Sequence, residues 1–262
     1  MEQVIHFFQG EMEVPGLISW FHLISLLIII AVTFLISFFF KDAEEKVYKR
    51  ILFIFWILLV ILEIMKQIIK PFHYGSPSYW EYDPYDFPFH LCSMILYFLP
   101  ILIFIKKEKC PAFIDAVNGF VSTIVLFAGL AVAVYNEMVM SRLIFTNIQT
   151  MVHHGTQIVV GVYVYVWNRR TINIKSYLNG MKIFTVVASI AMIINTAFYP
   201  RGIDMFFLNP TQTTTLPLVG VIQEKAGFFV YLIGYLAVVF SLAFLIHFVE
   251  TSIYKLTLKK QK

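Results

Sequence analysis

Seven stretches of about 20 mainly apolar residues dominate this chain, at 17 to 40, 51 to 70, 88 to 105, 112 to 134, 143 to 167, 181 to 199 and 226 to 249. That is the length a helix needs to cross the hydrocarbon core of a bilayer. The expected fold is an all-α polytopic helical bundle with about seven transmembrane helices, forming one integral membrane domain over residues 1–262. Composition excludes a soluble globule: 59% of residues are hydrophobic, 14% are charged, and 27 are Phe. The longest connecting segment, Pro200 to Lys225, leaves no room for a soluble domain or a nucleic-acid-binding surface. The acidic segment before the first stretch lacks a basic n-region, so a retained N-terminus is expected rather than a cleaved signal peptide.

Basic residues divide unevenly between alternate loops. Lys41, Lys46, Lys49 and Arg50, then Lys106, Lys107 and Lys109, then Arg169, Arg170, Lys175 and Lys182, and finally Lys255, Lys259, Lys260 and Lys262 share one set, which is 15 of the 20. By the positive-inside rule that set is cytoplasmic, with the N-terminus outside and the C-terminus in the cytoplasm. The net charge of +4 reflects this bias. Cys92 and Cys110 stand near opposite ends of the third span, about 27 Å apart along a helix. A disulfide between them is excluded, since bridged Cα atoms lie within about 7 Å.

Ionisable residues inside spans are costly and mark the places where function is sought. Glu63 and Lys66 in the second span lie three residues apart on one helix face, either as a mutually neutralising pair or as part of a site. The third span opens DFPFHLCS, with Asp86 as expected N-cap, Pro88 in the first turn and Cys92 about one turn in, where the positive helix end favours a thiolate. His90 points about 200° away from Cys92 on a helix, so it is either an interfacial histidine or a supporting group.

The fifth span, RLIFTNIQTMVHHGTQIVVGVYVYV, places adjacent His153 and His154 in an otherwise apolar and aromatic segment. If spans two, three and five pack together, a thiol, an imidazole and a carboxylate meet at similar depth. That combination activates a thiol by taking its proton or lowering its pKa. Asn118 and Thr123 in span four and Asn195 in span six either join this site or hold helices together. The loop NPTQTTTLP suits a turn or a re-entrant cap, with Thr213, Thr214 or Thr215 available to a lipid head group. No nucleotide-binding, haem or closed metal motif is present, so neither a cofactor nor a metal is expected.

FPFHLCS at the third span, HHG within the fifth, and NTAFYPRGIDMFFLNPTQTTTLP after the sixth resemble the bacterial YwaF-type integral membrane proteins. That family is similar to the eukaryotic transmembrane ether-lipid acyltransferases, and more distantly to androgen-induced membrane hydrolases that cleave fatty acid esters of hydroxy fatty acids. The resemblance implies a multi-pass protein of a bacterial plasma membrane with membrane lipids as substrates. It also implies a catalytic cysteine at Cys92 and a histidine at His153 or His154, of which His154 is favoured because it directly precedes the glycine. A threonine nucleophile of the hydrolase kind has no clear counterpart, Thr33 lying in the first span. The function expected is acyl transfer between phospholipids or lysolipids through Cys92 and His154, with Glu63 orienting the imidazole. The alternatives are a lipid-ester hydrolase, and a transporter whose polar residues, Glu63 and Lys66 included, line a pathway.

Overall fold

The computed structural model describes residues 2–214, 216 and 219–259. Its helices are α1 (Glu2–Phe8), α2 (Trp20–Phe39), α3 (Glu45–Ile69), α4 (Met94–Phe104), α5 (Pro111–Phe120), α6 (Leu126–Val134), α7 (Ile144–Asn168), α8 (Ile174–Ala197), α9 (Val219–Ala226) and α10 (Phe228–Lys259). A π-helical turn, Val121–Val125, joins α5 and α6 into one rod. A short antiparallel pair, β1 (Phe72–His73) with β2 (Tyr79–Trp80), follows α3. The chain is an all-α polytopic bundle. Among the described residues six segments are long and apolar enough to cross a membrane: Trp20–Phe39, Glu45–Ile69, Pro84–Phe104, Pro111–Val134, Ile174–Ala197 and Phe228–Lys259.

The fifth apolar stretch became α7, which at 25 residues is about 37 Å long but too polar to join those six. Its position explains its composition. Of its residues 18 are buried, whereas the far more apolar α2 buries only His22 and Ile29 of its 20. Lipid takes the place of a core on the outside of the bundle, so the greasiest helix faces outward and the polar one is surrounded by protein. Glycines let the neighbours close on α7: a Cβ on Gly155 would meet Ile29 of α2 at 2.6 Å, and one on Gly161 would meet Leu126 of α6 at 2.7 Å. The α5–α8 contact is closer still, a Cβ on Gly119 falling 2.1 Å from the Ser176 carbonyl oxygen.

The third span departs from expectation where it begins. Asp83, not Asp86, caps a short 3₁₀ turn, Pro84–Asp86, accepting from the Tyr85 N–H at 2.8 Å. The chain then runs extended through Phe87 at ψ 130°, because the proline ring at Pro88 disfavours helical backbone in the residue before it. A second 3₁₀ turn, Leu91–Ser93, leads into α4 at Met94. Cys92 therefore sits in the turn that precedes the helix. Asp86 instead pairs with Lys70, and its carbonyl accepts from Gln67 Nε2 at 2.7 Å.

Pro100 lies inside α4. Having no N–H, it leaves the carbonyl of Leu96 without its helical partner. Trp56 Nε1 of α3 donates to that carbonyl at 3.0 Å, so a tertiary hydrogen bond repairs the ladder.

The segment after α8, read as a turn or cap, folds inward. Ile203, Met205, Phe206 and Leu208 are buried, and Asn195 holds the loop by accepting from the Met205 N–H at 2.7 Å and donating to its carbonyl at 3.0 Å. Phe206 and Phe207 both adopt φ 59°. At Gly227, φ 84° turns the chain from α9 into α10, a conformation that glycine adopts without strain.

Candidate functional site

His153 and Gln157 stand four residues apart on α7 and so share one face. Both reach the backbone of the turn before α4. His153 Nε2 lies 3.0 Å from the Cys92 carbonyl oxygen, and Gln157 Nε2 donates to the same oxygen. A carbonyl only accepts, so Nε2 of His153 carries the hydrogen and Nδ1 holds a free lone pair. That Nδ1 is buried and has no hydrogen-bond partner among the described residues, and neither has Gln157 Oε1. Two unpaired acceptors thus stand beside Cys92. Buried acceptors without a donor are uncommon in folded proteins.

His154 takes another direction. Its Nδ1–H donates to the Thr150 carbonyl one turn back at 2.8 Å. Its own carbonyl lies at the α6 contact, 2.7 Å from where a Cβ on Gly129 would sit. Of the two histidines, it is His153 and not His154 that hydrogen-bonds Cys92, through the backbone carbonyl. Adjacent helical residues point about 100° apart, and the packing of α6 and α2 against α7 sets which one turns toward α4.

Glu63 makes its hydrogen bonds within its own helix rather than to either imidazole. Glu63 pairs with Lys66 at 2.8 Å and accepts from Gln67 Nε2 at 2.7 Å, all within α3. What orients His153 is the carbonyl of Cys92 itself. Lys66 nevertheless lies within electrostatic reach of Cys92, His90 and His153. His90 Nε2–H donates to the Tyr85 carbonyl at 2.7 Å, the loop contact of an interfacial histidine.

Asn118, near the end of α5, accepts from Asn168 Nδ2 at 3.4 Å, so it joins α5 to the last turn of α7. Thr123 Oγ1 donates to the Gly119 carbonyl within its own rod. Asn195 serves the buried loop, and Thr213 is exposed. Thr214 is buried, its N–H donating to Gln223 Oε1 at 2.9 Å, while Thr215 lies outside the described residues. Gln157 was present in the sequence as a polar residue one turn beyond His153, and that spacing was the available signal. Gln67, which ties Glu63 to the Asp86 carbonyl, carried none.

A groove of about 380 Å³ opens between α3 and α4, lined by Trp56, Val60, Ile64 and Leu96 with Glu63 and Gln67 among the lining residues. No group of three or more His, Cys, Asp or Glu side chains suited to a metal ion occurs among the described residues. A model of the TMEM164 family matches residues 17–248, which take in α2 to most of α10 and the Cys92–His153 contact. The chain belongs to the TMEM164 family. No curated protein and no solved structure matches it. As a TMEM164-family chain with several apolar helices it is a multi-pass membrane protein.

Proposed function

We propose that this TMEM164-family protein transfers fatty acyl groups between membrane lipids, with Cys92 as nucleophile and His153 as base. The observation that carries the reading is the unpaired Nδ1 of His153, held beside Cys92 by the bond from its other nitrogen to the Cys92 carbonyl. Such a ring has its donor side occupied and its acceptor side free, as a general base requires. His153 Nδ1 takes the thiol proton, the Cys92 sulfur attacks the ester carbonyl of a donor lipid, and the proton passes to the departing lysolipid oxygen. A thioester remains. The hydroxyl of an acceptor lysolipid then gives its proton to Nδ1 and attacks the thioester, and Cys92 recovers the proton as its bond to the acyl group breaks. Gln157 Oε1 offers an acceptor to the incoming hydroxyl.

With α7 taken as the seventh span, Cys92 lies at the outer end of the bundle, and lipid enters sideways along the α3–α4 groove. The likeness to YwaF-type proteins supports a bacterial plasma membrane. Replacement of the acceptor by water would make the same site a lipid-ester hydrolase. The transporter alternative loses support because Glu63 and Lys66 neutralise each other.

The test is labelling of the purified protein in detergent with a thiol-directed lipid electrophile, read by mass spectrometry at Cys92 and Cys110. Fast labelling at Cys92 that collapses in His153→Ala and persists in His154→Ala is the expected result. Equal slow labelling of both cysteines in all three proteins would end the thiol mechanism.

A further inference from the structure

A second polar cavity, of about 320 Å³, lies at the other end of the bundle, where α7 and the α2–α3 connection meet the last turns of α10. Tyr165 and Arg169 stand there, and Arg169 is 16 residues beyond His153, about 24 Å along α7. The cavity is therefore distinct from the Cys92 site and independent of the acyltransferase reading. Both carboxylate oxygens of Glu250 are buried without a hydrogen-bond partner among the described residues, and so is the hydroxyl of Tyr165. Arg169 is engaged by its two terminal nitrogens, which bond the Lys41 and Val166 carbonyls and the Asp42 carboxylate. Arg170 is not: it reaches Asp42 only at 3.7 Å, and its side chain is 74% exposed.

One cavity thus joins a cation that Asp42 holds only loosely to a buried carboxyl group without a partner among the described residues. Its depth matches a lipid head group. Glu250 follows Phe228, the first residue of α10, by 22 residues, about 33 Å along the axis, which is near the thickness of the hydrocarbon core. On the turns just before it, Leu245 and Val249 are exposed and offer an apolar lane for acyl chains.

We propose that this cavity binds the head group of a phospholipid ending in a primary amine, with the phosphate on Arg170 and Lys41 and the ammonium on Glu250 and Tyr165. Two unpaired carboxyl oxygens call for hydrogen-bond donors, which a primary ammonium supplies together with a positive charge and a quaternary one lacks. Phosphatidylglycerol has the same phosphate but ends in neutral hydroxyls, which offer Glu250 hydrogen bonds without a balancing charge, so it fits less well.

The test uses the full chain in detergent, with phosphatidylethanolamine, phosphatidylcholine or phosphatidylglycerol added at equal mole fraction. Lipid retention is read by native mass spectrometry and thermal unfolding is followed in parallel. A charge-assisted hydrogen bond predicts about a tenfold preference for the ethanolamine lipid over the choline lipid. In Glu250→Gln that preference is lost, while Arg170→Gln weakens retention of all three lipids. Equal retention of the ethanolamine and choline lipids by the wild type, or strongest retention of phosphatidylglycerol, would overturn the proposal. The wild-type comparison decides the matter even where a variant fails to fold.

Discussion

His153 donates its Nε2 hydrogen to the carbonyl oxygen of Cys92 at 3.0 Å, so the imidazole is bound to the backbone of the very residue whose side chain it is proposed to deprotonate. The bond fixes the tautomer. It leaves Nδ1 as the basic nitrogen and makes the turn Leu91–Ser93, rather than a separate carboxylate, the group that orients the ring.

His153 and His154 are expected to separate by activity. His153→Ala lowers acyl transfer by about 10²- to 10⁴-fold, the usual contribution of a general base, whereas His154→Ala leaves the rate within several-fold of wild type. His153→Gln is the informative variant, since an amide keeps a donor for the Cys92 carbonyl and supplies no base. It should unfold close to the wild-type temperature and transfer no acyl group. Measurement of transfer rate and unfolding midpoint on the same preparations checks both points, and an active His153→Gln would show that the ring serves only to hold the turn.

Trp56 and Pro100 are expected to be coupled. Trp56→Phe removes the donor that serves the Leu96 carbonyl and leaves that carbonyl unpaired, a loss of about 1–3 kcal/mol. Pro100→Ala restores a helical N–H to the same carbonyl, so in that background Trp56→Phe should cost much less. A double-mutant cycle by chemical or thermal unfolding reads the coupling directly. Additive effects would mean that the indole contributes only packing.

The α5–α8 contact should tolerate no Cβ. Gly119→Ala would place one 2.1 Å from the Ser176 carbonyl oxygen, and Gly180→Ala one 2.6 Å from the Phe120 nitrogen. Backbone on the far side cannot rotate away, so each change forces the helices apart at a cost of at least about 1–3 kcal/mol. Gly234→Ala, with nothing within 4 Å of the new carbon, is expected to unfold at or above the wild-type temperature. Thermal unfolding of the three variants in one detergent makes the comparison.

Stability should depend on pH through Asp204. Burial pushes its carboxyl up to about 6 from the ordinary 3.8, against the opposing hydrogen bond from the Asn209 N–H. Its second oxygen, Oδ2, has no hydrogen-bond partner among the described residues. Because the folded protein holds this proton more tightly than the unfolded chain, the contribution is complete below pH 3.8 and is lost as pH rises through 6. The wild-type unfolding midpoint should therefore fall across that window and then level off. Asp204→Asn should lack this component, and identical profiles for the two proteins would refute the assignment.

Sequence alone established the helical, multi-pass character of the chain and the approximate place of every long helix. Hydropathy is a local property, summed over the residues of one segment, and tertiary context cannot alter it. The polar residues of the fifth stretch stood out in the sequence as candidates for function, and the structure makes that helix the most buried of the set. The pairing of Glu63 with Lys66 was among the readings that their spacing allowed, because three residues of helix bring two side chains together in any fold.

Which histidine meets Cys92 was decided only by the tertiary structure. His153 and His154 differ by a rotation of about 100°, and the rotation of α7 depends on where α2 and α6 make close approach at Gly155 and Gly129. The conformation around Cys92 was likewise out of reach. Pro88 forbade an early helix start, but the turn that presents the Cys92 carbonyl is completed by donors from residues 61 and 65 positions further along the chain. Local pattern determines what a segment becomes, whereas the partners of its unpaired polar groups come from other segments and exist only once the helices have packed.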